Sequence, residues 1–294
     1  MKKLLAILLA CALAFAATAC GESGGSSSQD SGGTSQEGQK SEVETPKEAS
    51  IEEQVLFEDA DIKITATKLE LDGFVGAELN LLIENNTDQD LTFQVRDVSV
   101  NGYMVDPICS SDVAAGKKMN DTISFMESDF EACGITDIAD IELSFHIFTT
   151  DDWETYLDTD PIQIKTSLAD GFNYTYDDSG EPLYEGNGIK VVSKGLAGED
   201  GYLGKDLLLY IENTSDQTIT VQLRDVSVNG FMVNPIMSQT VLPGKYAVTE
   251  ATFMDSDLED NNITTITDIE LSILIYNYNT FDDIVQTDPI KLTF

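Results

Sequence analysis

The chain has 294 residues, with 16 Lys and Arg against 53 Asp and Glu, for a formal net charge of −37. So acidic a chain repels phosphate backbones and anionic lipid headgroups, which argues against a nucleic-acid partner. A single His and the absence of GxSxG, HExxH, Walker and GxGxxG patterns argue against an enzyme.

Lys2 and Lys3 form a positive n-region ahead of an apolar run from Leu4 to Ala17, which is too short to span a bilayer as a helix. The run "AATAC" then ends at Cys20 and resembles a bacterial lipobox. Cys11 fits the motif letters better but has too little apolar chain before it. Residues 1–19 are therefore expected to be a lipoprotein signal peptide, with Cys20 as the lipid attachment point. Residues 20–50 are Gly, Ser, Gln and acidic residues with almost nothing to bury, so they read as a disordered tether. Its r.m.s. reach of roughly 30 Å would hold the folded part clear of the membrane. The expected location is the extracytoplasmic face of the cell membrane, held through the lipid anchor only.

The rest of the chain is a duplication. Asn229 set against Asn101 gives an offset that runs without a gap from Leu79/Leu207 to Thr166/Phe294, with about half the positions identical. Upstream, Leu56–Ile64 matches Leu183–Val191 one residue out of step. Copy 1 spans 51–167, copy 2 spans 183–294, and 168–182 links them.

Within copy 1 the elements follow a period of two: Leu79, Leu81 and Ile83, then Leu91, Phe93 and Val95, later Leu143, Phe145 and Ile147. Turn chemistry in "ENNTDQD", "NG", "AAGKK" and "DTDP" separates the runs. The inward parity slips at Arg96-Asp97, and again at Arg224-Asp225, which predicts a bulge or sheet crossing tied by the Arg and Asp. Asn101-Gly102 and Asn229-Gly230 predict type I′ hairpins. Ser128 with Glu131, and Ser256 with Glu259, would each cap one helical turn. Trp153, Tyr156 and Leu157 stand at helical spacing, as do Phe281, Ile284 and Val285, and predict a turn that plugs the end of the sandwich. Around seven short strands per copy predict an all-β chain of two tandem β-sandwiches.

The phrases "RDVSVNGYMVDPI" (96–108) and "RDVSVNGFMVNPI" (224–236) follow "LLIEN" and "LYIEN", and "DIELS" comes later in each copy. This pattern resembles tandem Ig-like domains of unknown function found in surface lipoproteins of Gram-positive bacteria (Firmicutes). The resemblance implies an immunoglobulin-like sandwich at the cell surface and brings no catalytic residues.

No catalytic, cofactor or metal residues are expected. His146 is matched by Leu274 in copy 2, so no His-based site is duplicated. The acidic stretches Asp255–Asn262, Asp158–Pro161 and Asp282-Asp283 lack EF-hand spacing. Cys109 and Cys133, outside the membrane, are candidates for a disulfide. His146, Phe148, Trp153, Tyr276 and Tyr278 form a candidate binding surface on the second face of a strand and the turn after it. The expected role is a non-catalytic binding or scaffolding module for an envelope protein or component. The alternative is a carbohydrate-binding protein that uses exposed aromatics, and an enzyme ranks last.

Overall fold

Alternating apolar side chains on short extended runs build two sheets per copy, and their inner faces make the cores. The computed structural model describes residues 48–198, 201 and 203–294; the signal segment, Cys20 and the tether through residue 47 lie outside the described residues. Copy 1 runs β1 (Gln54–Glu58), β2 (Ile62–Glu70), β3 (Glu78–Asn85), β4 (Leu91–Val100), β5 (Tyr103–Met104), β6 (Ser110–Val113), β7 (Lys117–Ser124), α1 (Glu127–Cys133), β8 (Asp140–Thr149), β9 (Thr155–Asp158) and β10 (Ile162–Lys165). Copy 2 runs β11 (Glu181–Gly186), β12 (Ile189–Leu196), β13 (Gly204–Asn213), β14 (Ile219–Val228), β15 (Phe231–Met232), β16 (Ser238–Val241), β17 (Lys245–Met254), α2 (Asp255–Asp260), β18 (Asp268–Asn277), β19 (Asp283–Gln286) and β20 (Ile290–Thr293). The expected linker therefore ends inside β11, two residues late.

In copy 1 the sheet β1-β2-β3-β7 faces the sheet β10-β8-β4, to which β5, β6 and β9 also pair. The chain crosses between sheets from β3 to β4 and from β7 to β8, and copy 2 repeats the plan. The chain is thus all-β, two tandem immunoglobulin-like sandwiches. Ile64, Leu79, Leu81 and Ile83 from one sheet meet Phe93, Phe145 and Ile147 from the other, all essentially without solvent contact. Each such side chain contributes about 1.5–3 kcal/mol through burial. Among the described residues no helix is long and apolar enough to cross a membrane.

The parity slip is a bulge. In the β4–β8 ladder, Arg96 pairs Ser144 and Ser99 pairs Glu142, so Asp97 and Val98 together oppose Leu143. Asp97 takes a left-handed φ of 55°, and Asp225 repeats it at 51°. Asp tolerates this region better than most residues because its short polar side chain can bond locally. The extra residue lets β4 pair with β6 before the bulge and with β5 after it. The expected Arg–Asp tie is not what holds it: the Arg96 guanidinium donates to Gln94 Oε1 (2.7 Å), and Arg224 donates to Gln222 Oε1 (2.5 Å).

Two further expectations are corrected. The N-cap of α1 is Met126 and that of α2 is Met254, neither with a side-chain bond, so Ser128 and Ser256 lie inside the helices rather than before them. Thr155–Asp158 and Asp283–Gln286 are strands, not a helical turn, because each pairs antiparallel with the preceding long strand, β8 or β18, and completes a hairpin. Trp153 and Phe281 are accordingly largely exposed and enter neither core.

The two sandwiches share a sheet. β5 of copy 1 pairs in parallel with β17 of copy 2 at Tyr103 and Tyr246, which merges one sheet from each copy into a single ten-stranded sheet.

Candidate functional site

The repeated hairpin positions the most informative surface of the molecule. Asn101 and Gly102 have φ of 50° and 84°, and Asn229 and Gly230 have φ of 51° and 83°, as a type I′ turn requires. The asparagine also has a second duty. Asn101 Nδ2 donates to the Asp137 carbonyl (2.6 Å), while its Oδ1 accepts the N–H groups of Ala139 (2.8 Å) and Asp140 (3.2 Å). Asn229 repeats this clamp on Thr265, Thr267 and Asp268. Each hairpin tip is thereby fastened to the start of β8 or β18.

Beyond the shared clamp, the two hairpins differ in what covers them. In copy 1, Tyr103 is buried in an apolar cluster with Val192 and Tyr210 of copy 2, ringed by Tyr176, Tyr246, Val248 and Cys133. Tyr176 stacks on Tyr246 with ring centroids 3.6 Å apart, and its hydroxyl donates to the Asn101 carbonyl (3.1 Å). The Tyr246 N–H donates to the Gly102 carbonyl at 3.0 Å. Lys245 and Glu142 close the joint with an ion pair at 3.0 Å. Burial, together with the neighbouring Tyr246 and Asp140, pushes the Tyr176 phenol up to about 12. In copy 2 the same element is open: Phe231 is 47% and Met232 68% exposed, against 4% for Tyr103.

The joint was missed as a site in the sequence, although a signal was there. Tyr210 and Tyr246 occupy outward positions held by Leu82 and Lys118 in copy 1. Aromatic residues on the outer face of one copy alone mark a surface that only this copy covers.

The predicted aromatic surface is brought together only in part. Phe148 is buried beneath Trp153, which stacks on it at 5.5 Å, and His146 lies beside it at 5.3 Å. His146 Nδ1 is 2.5 Å from Asp158 Oδ1, so the imidazole is held by a carboxylate. In copy 2, Phe281 stacks on Tyr276 at 6.2 Å, and Tyr278 is exposed beside the turn. Trp153 and Phe281 are 74% and 73% exposed, and both take positive φ, 63° and 61°. The φ sign marks a turn position that would suit Gly.

Cys109 and Cys133 are free thiols, which corrects the expected disulfide. They pack into different apolar clusters: Cys109 against the copy 1 core, Cys133 at the end of α1 against the tyrosine cluster of the joint. Burial pushes the Cys109 thiol up to about 11 and the Cys133 thiol up to about 12, which makes both poor nucleophiles. Among the described residues no group of His, Cys, Asp and Glu is arranged to hold a metal ion.

No family model matches the chain, and no curated protein matches it. Among solved structures, the chain is similar to the YadV chaperone at 11% identity, over 74% of this chain and 92% of that one, with a TM-score of 0.23. A likeness that low carries no argument about what the chain does.

Proposed function

We propose that the chain is a non-catalytic lipoprotein, anchored through Cys20 on the extracytoplasmic face of the membrane, that binds or scaffolds a protein of the cell envelope. The observation that carries this reading is the unequal cover of the two hairpins. Within one molecule, the hairpin of copy 1 works as a docking element, and the chemically matched hairpin of copy 2 presents Phe231 and Met232 to solvent. Isolated exposed apolar residues are ordinary, but a duplicate of a buried joint left uncovered is the signature of an interaction surface. The tether supplies reach and the Ig-like sandwiches supply a fixed frame, as the resemblance to tandem surface domains implies.

The test is a photo-crosslinking residue placed at Met232 in living cells, followed by mass spectrometry of the adducts. A discrete protein adduct that disappears in the Phe231→Asp background is expected. No adduct from Met232 at good crosslinking yield would overturn the reading.

A second reading rests on Trp153 and Phe281, exposed rings held in the same backbone conformation in both copies. Such rings can stack on sugar faces, with Asp152 and Asp282 near enough in sequence to meet hydroxyls. Retention on immobilised wall glycan, lost in Trp153→Ala, would favour it over the protein-binding reading.

A further inference from the structure

The joint between the copies has a donor and an acceptor. The donor is the hairpin edge β5 with Glu142 behind it, and the acceptor is the outer edge of β17 with Lys245 and Tyr246. Because the chain is a duplication, it holds a second donor, β15 with Glu270, and a second acceptor, β7 with Lys117 and Lys118. The second pair is open: β15 ends the six-stranded sheet and β7 ends the four-stranded sheet, and Lys117, Lys118 and Glu270 are all exposed. At the tip, a Cβ added to Gly102 would come within 2.8 Å of the Tyr176 hydroxyl, whereas one added to Gly230 would meet nothing.

We propose that the open donor of one chain docks on the open acceptor of a second copy, so that molecules associate head to tail through a repeat of the internal joint. This rests on the protein-binding reading of the copy 2 hairpin and names its occupant.

The residues that face each other in the internal joint have counterparts that suit each other in the second. Inside the chain Glu142 pairs with Lys245 at 3.0 Å; the corresponding residues in the second joint are Glu270 and Lys117, of unchanged charge. Cys133 lies against Val248 in the internal joint, and the counterparts are Asn261 and Asn120, two amides able to bond each other. Burial, then Asp206 and Asp129, raises the Glu250 carboxyl, whereas burial and Asp106 raise that of Asp129; the counterparts of Asp129 and Glu250 are Asp257 and Thr122, so the second joint has one carboxylate fewer at this place. Tyr103 meets Tyr246; the counterparts are Phe231 and Lys118, a ring and a cation with an apolar stem. The ion pair is unchanged, the Cys–Val and Tyr–Tyr pairs have changed on both sides, the Asp–Glu pair has lost one carboxylate, and each resulting pair is compatible.

Lysines on an open sheet edge ordinarily discourage pairing. Lys245 shows that a lysine at this register accepts a docked hairpin when a glutamate faces it. The acceptor bowl is shallower than the internal one, with Thr65 and Leu82 at the places of Val192 and Tyr210. The second joint also lacks the covalent connection, which supplies an effective concentration of order mM to the first. It is therefore the weaker of the two. A donor on one end and an acceptor on the other make a heterologous contact, which closes into a ring or runs on as an open chain of molecules.

The experiment is sedimentation equilibrium on residues 45–294, the compact unit that holds both cores, over a wide range of concentration. The mass is expected to rise with concentration past the dimer. Met232→Asp and Lys117→Glu should each return the protein to monomer with unchanged thermal unfolding. Lys117→Glu combined with Glu270→Lys should restore association, which a misfolded variant would not do. A monomer at every concentration overturns the proposal. So does association that Met232→Asp abolishes and Lys117→Glu leaves intact, since that would be hairpin against hairpin. A monomer in solution together with a specific Met232 adduct to a different protein in cells would sink this proposal and leave the protein-binding reading standing.

Discussion

Tyr176 lies flat on Tyr246, ring centroids 3.6 Å apart, and each ring also touches Tyr103. The three tyrosines come from the linker, from copy 2 and from copy 1, so one contact fixes three segments of chain. Aromatic pairs of this kind are worth about 0.5–1.5 kcal/mol beyond their buried area. Tyr176→Ala should therefore uncouple the sandwiches, turning one urea transition into two while leaving far-UV circular dichroism unchanged. A single transition of unchanged midpoint would show that the stack does not couple them.

Asp97 and Asp225 occupy the left-handed region at the two bulges. Asp97→Gly should be neutral or slightly stabilising, because Gly takes positive φ without steric cost. Asp97→Val should lose about 1–2 kcal/mol, the penalty for a left-handed L-residue. Equilibrium unfolding of the two variants reads the difference directly.

The clamp made by Asn101 is buried and that of Asn229 is partly open, because copy 2 covers the first and nothing described covers the second. Leaving buried donors and acceptors unpaired costs about 1–3 kcal/mol. Asn101→Ala should thus destabilise more than Asn229→Ala, and hydrogen exchange should quicken at Ala139 and Asp140 in the first variant alone.

The acid response of the joint follows from Glu250. Burial, then Asp206 and Asp129, raises its carboxyl above the ordinary range. The native state therefore holds that proton more tightly than the unfolded chain. Its contribution to stability grows as pH falls through the raised folded pKa and is lost as pH rises above it. Glu250→Gln should unfold at a higher temperature than the parent at neutral pH, and the gap should close below about pH 4, where the unfolded carboxyl is also protonated. A gap that does not depend on pH would show that Glu250 is not strained by charge.

Both thiols should resist alkylation in the native protein at neutral pH and react quickly once it is unfolded, since burial holds them protonated. Reduction should leave the unfolding temperature where it was. A mass lower by two protons, with a shift on reduction, would restore the disulfide.

Much of the fold was legible in the sequence because the strands have one buried face, and burial of one face forces a period of two. The slip at Arg96-Asp97 could be read as a bulge for the same reason. Trp153 was read as part of a helix because Trp153, Tyr156 and Leu157 have helical spacing, and three residues cannot outvote the pairing of β9 with β8. The joint was not legible because it depends on residues distant in sequence: Tyr103, Tyr176 and Tyr246 have no periodicity in common. The residues of the predicted aromatic surface lie together only within each copy, and Phe148 among them is buried. Strand parity put His146 and Phe148 on one face, but whether a ring there is covered depends on the turn that follows.

The joint also sets how the molecule would yield to a pull along its length. Within each sandwich, strands such as β4 and β8 are laced by a full ladder of backbone bonds. Between the sandwiches, the ladder shrinks to one parallel bridge at Tyr103 and Tyr246, aided by side chains. Tension should part the joint while both cores stay intact. The released segment 168–180 can then pay out to at most about 3.3–3.6 Å per residue, so the chain would lengthen like a latch slipping on a cord, and would re-engage when the load is removed.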